Sequence, residues 1–153
     1  MTPSQQTIEE RQLPSIEVVS QRWSGSYQDT GKAMKHLYRS AARYAAGKAF
    51  NLYYDSEYKS DNADIESCLP VKQALSGKVE SRTLAGGLFV CLVHQGSYQT
   101  LSQSYAKVFS YIEAQGYRPE LPYREVFFKG PGMIFKGNPN KYLTEIQIPI
   151  AKI

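Results

Sequence analysis

Two stretches of the chain share one rhythm of hydrophobic and polar positions. Residues 16–23 (IEVVSQRW) and 87–94 (GLFVCLVH) are short, apolar-rich runs with β-branched residues, and they predict strands. A run with helical spacing follows each. In the second stretch Leu101, Tyr105, Val108, Phe109 and Ile112 recur on one helical face up to Gly116, a residue type favoured just past a helix end. In the first, Met34, Leu37, Tyr38, Ala41 and Ala45 do the same and end near Gly47. After each helix come two more strand-like runs, residues 50–54 with 64–71 and residues 123–128 with 142–150. The last of these alternates cleanly, with Leu143, Glu145, Gln147 and Pro149 on one face and Thr144, Ile146, Ile148 and Ile150 on the other. Residues 72–78 (KQALSGK) read as a surface loop.

The tetrapeptide GSYQ stands between strand and helix in both stretches, at residues 25–28 and 96–99. The offset of 71, from Gly25 to Gly96, also lays IEERQL (residues 8–13) on VESRTL (residues 79–84), with Glu, Arg and Leu in register. The same offset sets Val18-Val19 on Phe89-Val90 and Trp23 on His94. Further on, NLYYD (from Asn51) matches EVFFK (from Glu125) at an offset of 74, and Glu66 with Pro70 matches Glu145 with Pro149 at 79. The common order of these matches points to an internal duplication. The expectation is one domain over residues 1–153, built from strand-helix-strand-strand halves at about 8–71 and 79–150. Its class is α+β, with pseudo-two-fold symmetry and antiparallel sheets carrying helices on one side. GSYQ then forms the strand-to-helix corner: Gly allows the turn, Ser caps the helix, and Asp29, three residues after Ser26, resembles a capping box.

Composition changes this picture in one respect. A chain of 153 residues buries a core without staples, and its 21% charged residues are dispersed. The aromatic content, however, is dominated by 12 Tyr beside 6 Phe and 1 Trp, and Tyr suits a wall that is apolar in body yet offers a hydroxyl. A binding surface is expected. The net charge of +4 arises from Lys and Arg scattered among Asp and Glu, without a basic stripe, and only a few residues precede the repeat; no direct nucleic-acid binding is expected. Residues 1–11 contain no apolar core of signal-peptide length and no run approaches a membrane span, so no membrane association and a cytoplasmic location are expected. Cys68 and Cys91 each lie in an apolar strand-like run and read as core residues rather than a disulfide or zinc site. His36 and His94 lack ligand-spaced partners, and neither metal nor cofactor is expected.

The doubled strand-helix-strand-strand layout, with the segments HQGSYQTLSQSYAKVFSYIEAQGY, YREVFF and YLTEIQIPI, resembles the GyrI-like small-molecule-binding domain from about Ile8 to Ile150. That family includes effector-binding domains of multidrug-sensing transcription regulators and stand-alone gyrase-inhibitor-like proteins. The resemblance implies a pocket at the junction of the halves, lined by aromatics around one glutamate that meets lipophilic, often cationic, small molecules. By motif position that glutamate is Glu125 in YREVFF, and a tyrosine of the site is Tyr142 in KYLTEIQ. Physical chemistry supports the arrangement: a carboxylate in a poorly hydrated cleft is costly alone, and an organic cation offsets that cost by charge pairing and cation–π contact.

Duplication sets equivalent positions on opposite sides of the junction, Asn51 facing the region of Glu125 and Trp23 that of His94. Trp23, Tyr27 and Tyr98 read as pocket residues; Tyr53 and Phe127, which share a position in the two halves, fit sheet-to-helix packing as well as pocket lining. His94 reads more readily as a satisfied strand-end histidine than as a base. Glu145 is a rival carboxylate, but its retained counterpart Glu66 suggests a structural role. The alternative function is a hydrolase of cyclopropane-bearing electrophiles that uses Glu125 with Tyr142. Interaction with gyrase rests on the family name alone.

Overall fold

The computed structural model describes residues 7–26, 29–57, 59, 61–97, 100–129 and 142–153. In chain order its elements are β1 (Glu9–Leu13), β2 (Ile16–Gly25), α1 (Thr30–Ala41) with a 3-10 turn (Ala42–Tyr44), β3 (Phe50–Tyr53), β4 (Ala63–Pro70), β5 (Arg82–Leu84), β6 (Gly87–Gln95), α2 (Leu101–Ala114), β7 (Tyr117–Pro119), β8 (Tyr123–Lys129) and β9 (Leu143–Lys152). Strands pair in the order β1-β6-β9-β8-β3-β4-β2-β5, with β7 added to the far end of β9. All these pairs are antiparallel. The result is an α+β fold.

The strand order is a palindrome. Exchanging β2, β3 and β4 for β6, β8 and β9, and β1 for β5, returns the same sequence of neighbours. The registers obey the offsets of the repeat: Arg11 lies opposite Phe89 and Arg82 opposite Val18, while Ser20 lies opposite Cys68 and Cys91 opposite Gln147. At the centre Asn51 pairs with Glu125, its own counterpart, so the pseudo-two-fold axis passes through this pair. The short segments β1 and β5 were seen in the sequence as a repeat but not as strands. Each leaves its own half and pairs with the first long strand of the other, β1 on β6 and β5 on β2.

This exchange forces the two connectors to cross. A methyl group on Gly86 would lie 2.1 Å from the carbonyl oxygen of Leu13 and 2.6 Å from the carbonyl carbon of Pro14. Only glycine lets the backbones pass that closely.

Both helices cover the same face of the sheet. Alternation along the strands sends Asn51 and Tyr53 of β3, and Tyr123, Glu125 and Phe127 of β8, to that face. Asn51 bonds to Thr30 of α1, and Tyr105 of α2 bonds to Glu125. The buried positions of α1 (Thr30, Ala33, Met34, Leu37, Ala41) and of α2 (Leu101, Tyr105, Val108, Ile112) include four equivalent pairs at the offset of 71, from Thr30 with Leu101 to Ala41 with Ile112. Under α2 they pack on Val90, Leu92, Ile146 and Ile148; under α1 they meet Val19, Leu69 and Phe127. Each such fully buried aliphatic or aromatic side chain contributes roughly 1.5–3 kcal/mol.

The opposite face carries a second apolar layer of Val18, Phe50, Leu52, Cys68 and Leu84. Both cysteines are free and buried, as core residues.

Local details depart from the sequence expectations at the element ends. α1 stops at Ala41 and tightens into the 3-10 turn instead of running to Ala45, while β2 extends through Gly25 and β9 to Lys152. The capping box is only half formed. Asp29 reaches back to the Ser26 N–H at 3.3 Å, but the Asp29 N–H donates to the Ser26 carbonyl rather than to its hydroxyl. The Tyr-Gln half of each GSYQ copy lies outside the described residues.

Candidate functional site

At the axis the sheet buries a carboxyl group. Glu125 is fully buried, at 0% exposure, on the central strand pair and beneath α2. The hydroxyl of Tyr105 donates a hydrogen bond to its Oε2. Tyr53 acts on the same carboxyl from β3, yet among the described residues Oε1 has no hydrogen-bond partner. Burial disfavours the charged form and outweighs both tyrosines, so the pKa of Glu125 is pushed up to about 7.

The counterpart position holds a neutral amide with every polar atom engaged. Trp23 Nε1 donates to Ser67 Oγ at 2.9 Å, Ser67 donates to Asn51 Oδ1 at 2.6 Å, and Asn51 Nδ2 donates to the hydroxyls of Tyr53 (2.9 Å) and Thr30 (3.0 Å). A polar relay thus runs from Trp23 to Tyr53, whose influence reaches Glu125.

Aromatic rings extend the site along α2. Tyr105 stacks on Phe109 with centroids 6.1 Å apart, and Phe109 meets Tyr123 edge-on at 5.5 Å. These last two rings line a cavity of about 640 Å³ together with Ser56, Arg118, Glu120 and Leu121. Contacts lead from that cavity to the carboxylate through Phe109 and Tyr105.

Of the residues proposed from the sequence, Glu125, Asn51, Tyr53 and Trp23 come together here. Phe127 shares their face but packs under α1 beside Val19, Met34 and Leu37. His94 sits at the strand end equivalent to Trp23, held by Ser104 (2.7 Å) and Thr100 (3.2 Å) and by the Ser97 carbonyl (3.2 Å). Burial holds its pKa below the ordinary value. Tyr142 precedes β9, where its carbonyl accepts from the Gly96 N–H; it lies four residues, about 13 Å of strand, from Ile146, the residue opposite Glu125. Tyr27 and Tyr98 lie outside the described residues.

Tyr105 was missed as a site residue because it was read only as a core position of α2. Its phenol was the available signal, since a buried tyrosine hydroxyl needs a polar partner.

The rival carboxylates lie on the far face. Glu66 receives both Nε and Nη2 of Arg82, with Ser20 and Tyr54 donating to the same carboxylate. Glu145 receives Arg11 and, at 2.6 Å, Gln147. Each arginine comes from the exchanged edge strand, so each pair ties one half to the other.

The duplicated α+β fold is that of a family of small-molecule-binding domains. The profile of the GyrI-like small molecule binding domain matches residues 6–151, and the chain belongs to that family. Among solved structures, the C-terminal domain of EcmrR is similar at a TM-score of 0.81 and 24% identity, over 96% of this chain and 98% of that one. In the complex of EcmrR with DNA the TM-score is 0.83, and the match spans 58% of the EcmrR chain. A hydrolase from Listeria innocua is similar at a TM-score of 0.74 and 14% identity, over 97% and 94% of the two chains. SAV2435, solved bound to tetraphenylphosphonium, is similar at a TM-score of 0.60 and 18% identity, over 95% and 94%. Among proteins of curated function, none matches the chain by sequence. Among the described residues, no helix is long and apolar enough to cross a membrane.

Proposed function

We propose that this GyrI-like domain takes up lipophilic organic cations and seats them against Glu125 among Tyr53, Tyr105, Phe109 and Tyr123. The observation that carries the reading is the Oε1 of a fully buried carboxylate, without a hydrogen-bond partner among the described residues. Such an oxygen loses solvation without recovering a hydrogen bond, and a cation brought to it supplies both charge and contact. The rings supply stacking that tolerates many shapes, which favours loose selection by charge over tight selection by outline. The tetraphenylphosphonium held by SAV2435 is a ligand of this chemistry, in a related fold.

Tetraphenylphosphonium and tetraphenylborate test this directly, because they share size and shape and differ in charge. Calorimetry is expected to show preferential binding of the cation. Glu125→Gln is expected to weaken it by about 1–3 kcal/mol, the loss of a charge-assisted contact, while Glu145→Gln changes nothing. Equal affinity for the two ions would overturn the proposal.

A second reading, hydrolysis of cyclopropane-bearing electrophiles, is favoured by the pairing of Glu125 with the Tyr105 hydroxyl. A carboxyl with a pKa of about 7 beside a phenol is suited to general acid–base work. In this arrangement Tyr105 takes the part first given to Tyr142. Product analysis on such substrates separates the readings: Glu125→Gln is expected to retain binding and lower turnover by about 10²–10⁴-fold.

A further inference from the structure

The face of the sheet away from the helices holds a cation that, among the described residues, has no carboxylate partner. Arg124 stands next to Glu125 on β8, so alternation sends it to that face, where it is only 4% exposed. Its single hydrogen bond among the described residues runs from Nη2 to the Ala85 carbonyl, at 3.0 Å. The guanidinium carries five N–H donors. It lies 4.4 Å from the ring centre of Phe89 and 5.8 Å from that of Phe50, and among the described residues it enters no ion pair. Three other arginines of this face, Arg11, Arg22 and Arg82, each hold a carboxylate; among the described residues Arg124 does not.

Arg124 borders two cavities, one of about 300 Å³ that it shares with Ala85 and Phe89 and one of about 500 Å³ whose walls include Ile16, Phe50, Val126 and Phe128; the second also holds a further cation. Lys48 stands at the same cavity, its ammonium 5.6 Å from the Phe128 ring. Glu17 also borders it, but both of its carboxylate oxygens already accept, one from Ser81 and one from Thr83. The space therefore joins apolar walls to two cations, one deeply buried and one exposed, and to one carboxylate, Glu17, whose charge the two hydroxyls hold at the edge formed with Ser81 and Thr83. A volume of this order suits a small organic ligand.

We propose that this cavity is a second ligand site, for a flat aromatic carboxylate whose charge meets Arg124 and Lys48 while its ring lies among Phe50, Val126 and Phe128. The site is separate from Glu125: it lies on the other face of the sheet and selects the opposite charge. Fork-shaped guanidinium donors fit a planar carboxylate in two-point contact.

The test is an NMR titration of the amide-labelled protein with 2-naphthoate and with neutral 2-naphthamide. Naphthoate is expected to bind one to one, moving the amide signals of Lys48, Phe50, Val126 and Phe128, and the amide is expected to bind at least about tenfold more weakly. Lys48→Gln is expected to weaken naphthoate about threefold and Arg124→Gln about tenfold or more, with Glu125→Gln without effect. Equal binding of acid and amide, no binding, signal changes confined to the helix-covered face, or full affinity in a folded Arg124→Gln protein would each overturn the proposal. Should Arg124→Gln fail to fold, the acid–amide comparison on the unaltered protein and the exposed Lys48→Gln variant decide it.

Discussion

Glu125 makes the stability of the protein depend on pH in a direction opposite to that of an ordinary paired carboxylate. Its folded pKa, about 7, lies above the ordinary 4.5 because burial penalises the charge. Between those values the folded state holds a proton that the unfolded state releases, so stability falls as pH rises through the window. The loss is expected to be about 2–3 kcal/mol between pH 5 and pH 8. His94 acts with the opposite sign, since its lowered pKa penalises the fold below about 6.5. Urea denaturation of wild type and Glu125→Gln across that range isolates the carboxyl, because the His94 contribution cancels in the difference. Parallel stability curves would show that Glu125 ionises without penalty. The position of this carboxylate was legible in the sequence through the YREVFF motif and through its pairing with Asn51. The hydroxyl that bonds it was not, because helical periodicity reports that Tyr105 is inward and says nothing of what its oxygen meets.

At the scale of elements, the edge strands β1 and β5 act as clasps between halves. Arg82 reaches from β5 to Glu66 of β4, and Arg11 reaches from β1 to Glu145 of β9. Arg82 is half exposed while Glu66 is nearly buried, so removing the arginine strands a carboxylate that keeps only Ser20 and Tyr54. Arg82→Met is expected to cost about 1–3 kcal/mol by chemical denaturation, and Glu66→Gln added to it is expected to recover part of that loss. Strict additivity of the two changes would mean that they do not interact. Gly86→Ala is a sharper change, since backbone rather than a flexible side chain stands 2.1 Å from the added methyl. These clasps were half visible in the sequence: Glu, Arg and Leu recur between residues 8–13 and 79–84, and Glu66 matches Glu145. Three- to five-residue strands carry too little alternation to be recognised as strands, and pairing with the other half is a long-range choice that local pattern does not encode.

At the scale of the whole molecule, the exchange makes each half incomplete without the other. The first half lends β1 to β6 and receives β5 on β2, while β3 and β8 join the halves through the Asn51–Glu125 pair. Opening either half would bare two strand edges, uncross the connectors at Gly86 and expose the arginine-held glutamates of the other. The repeat in the sequence carried the internal symmetry of this arrangement, but two independent copies side by side would have left the same repeat. The distinction is thermodynamic and can be measured. Trp23 is the only tryptophan; its indole bonds to Ser67 of the first half and its ring packs on the cluster under α2 of the second, so its fluorescence reports the junction of the halves. Far-UV ellipticity reports both helices and the entire sheet. In urea at fixed pH the two signals are expected to change with the same midpoint and the same slope, as one cooperative transition. Amide exchange in α2, which belongs to the second half, is expected to give the same global free energy. A fluorescence transition that precedes loss of ellipticity, or α2 amides that stay protected after Trp23 is released, would mean that the crossed strands do not couple the halves.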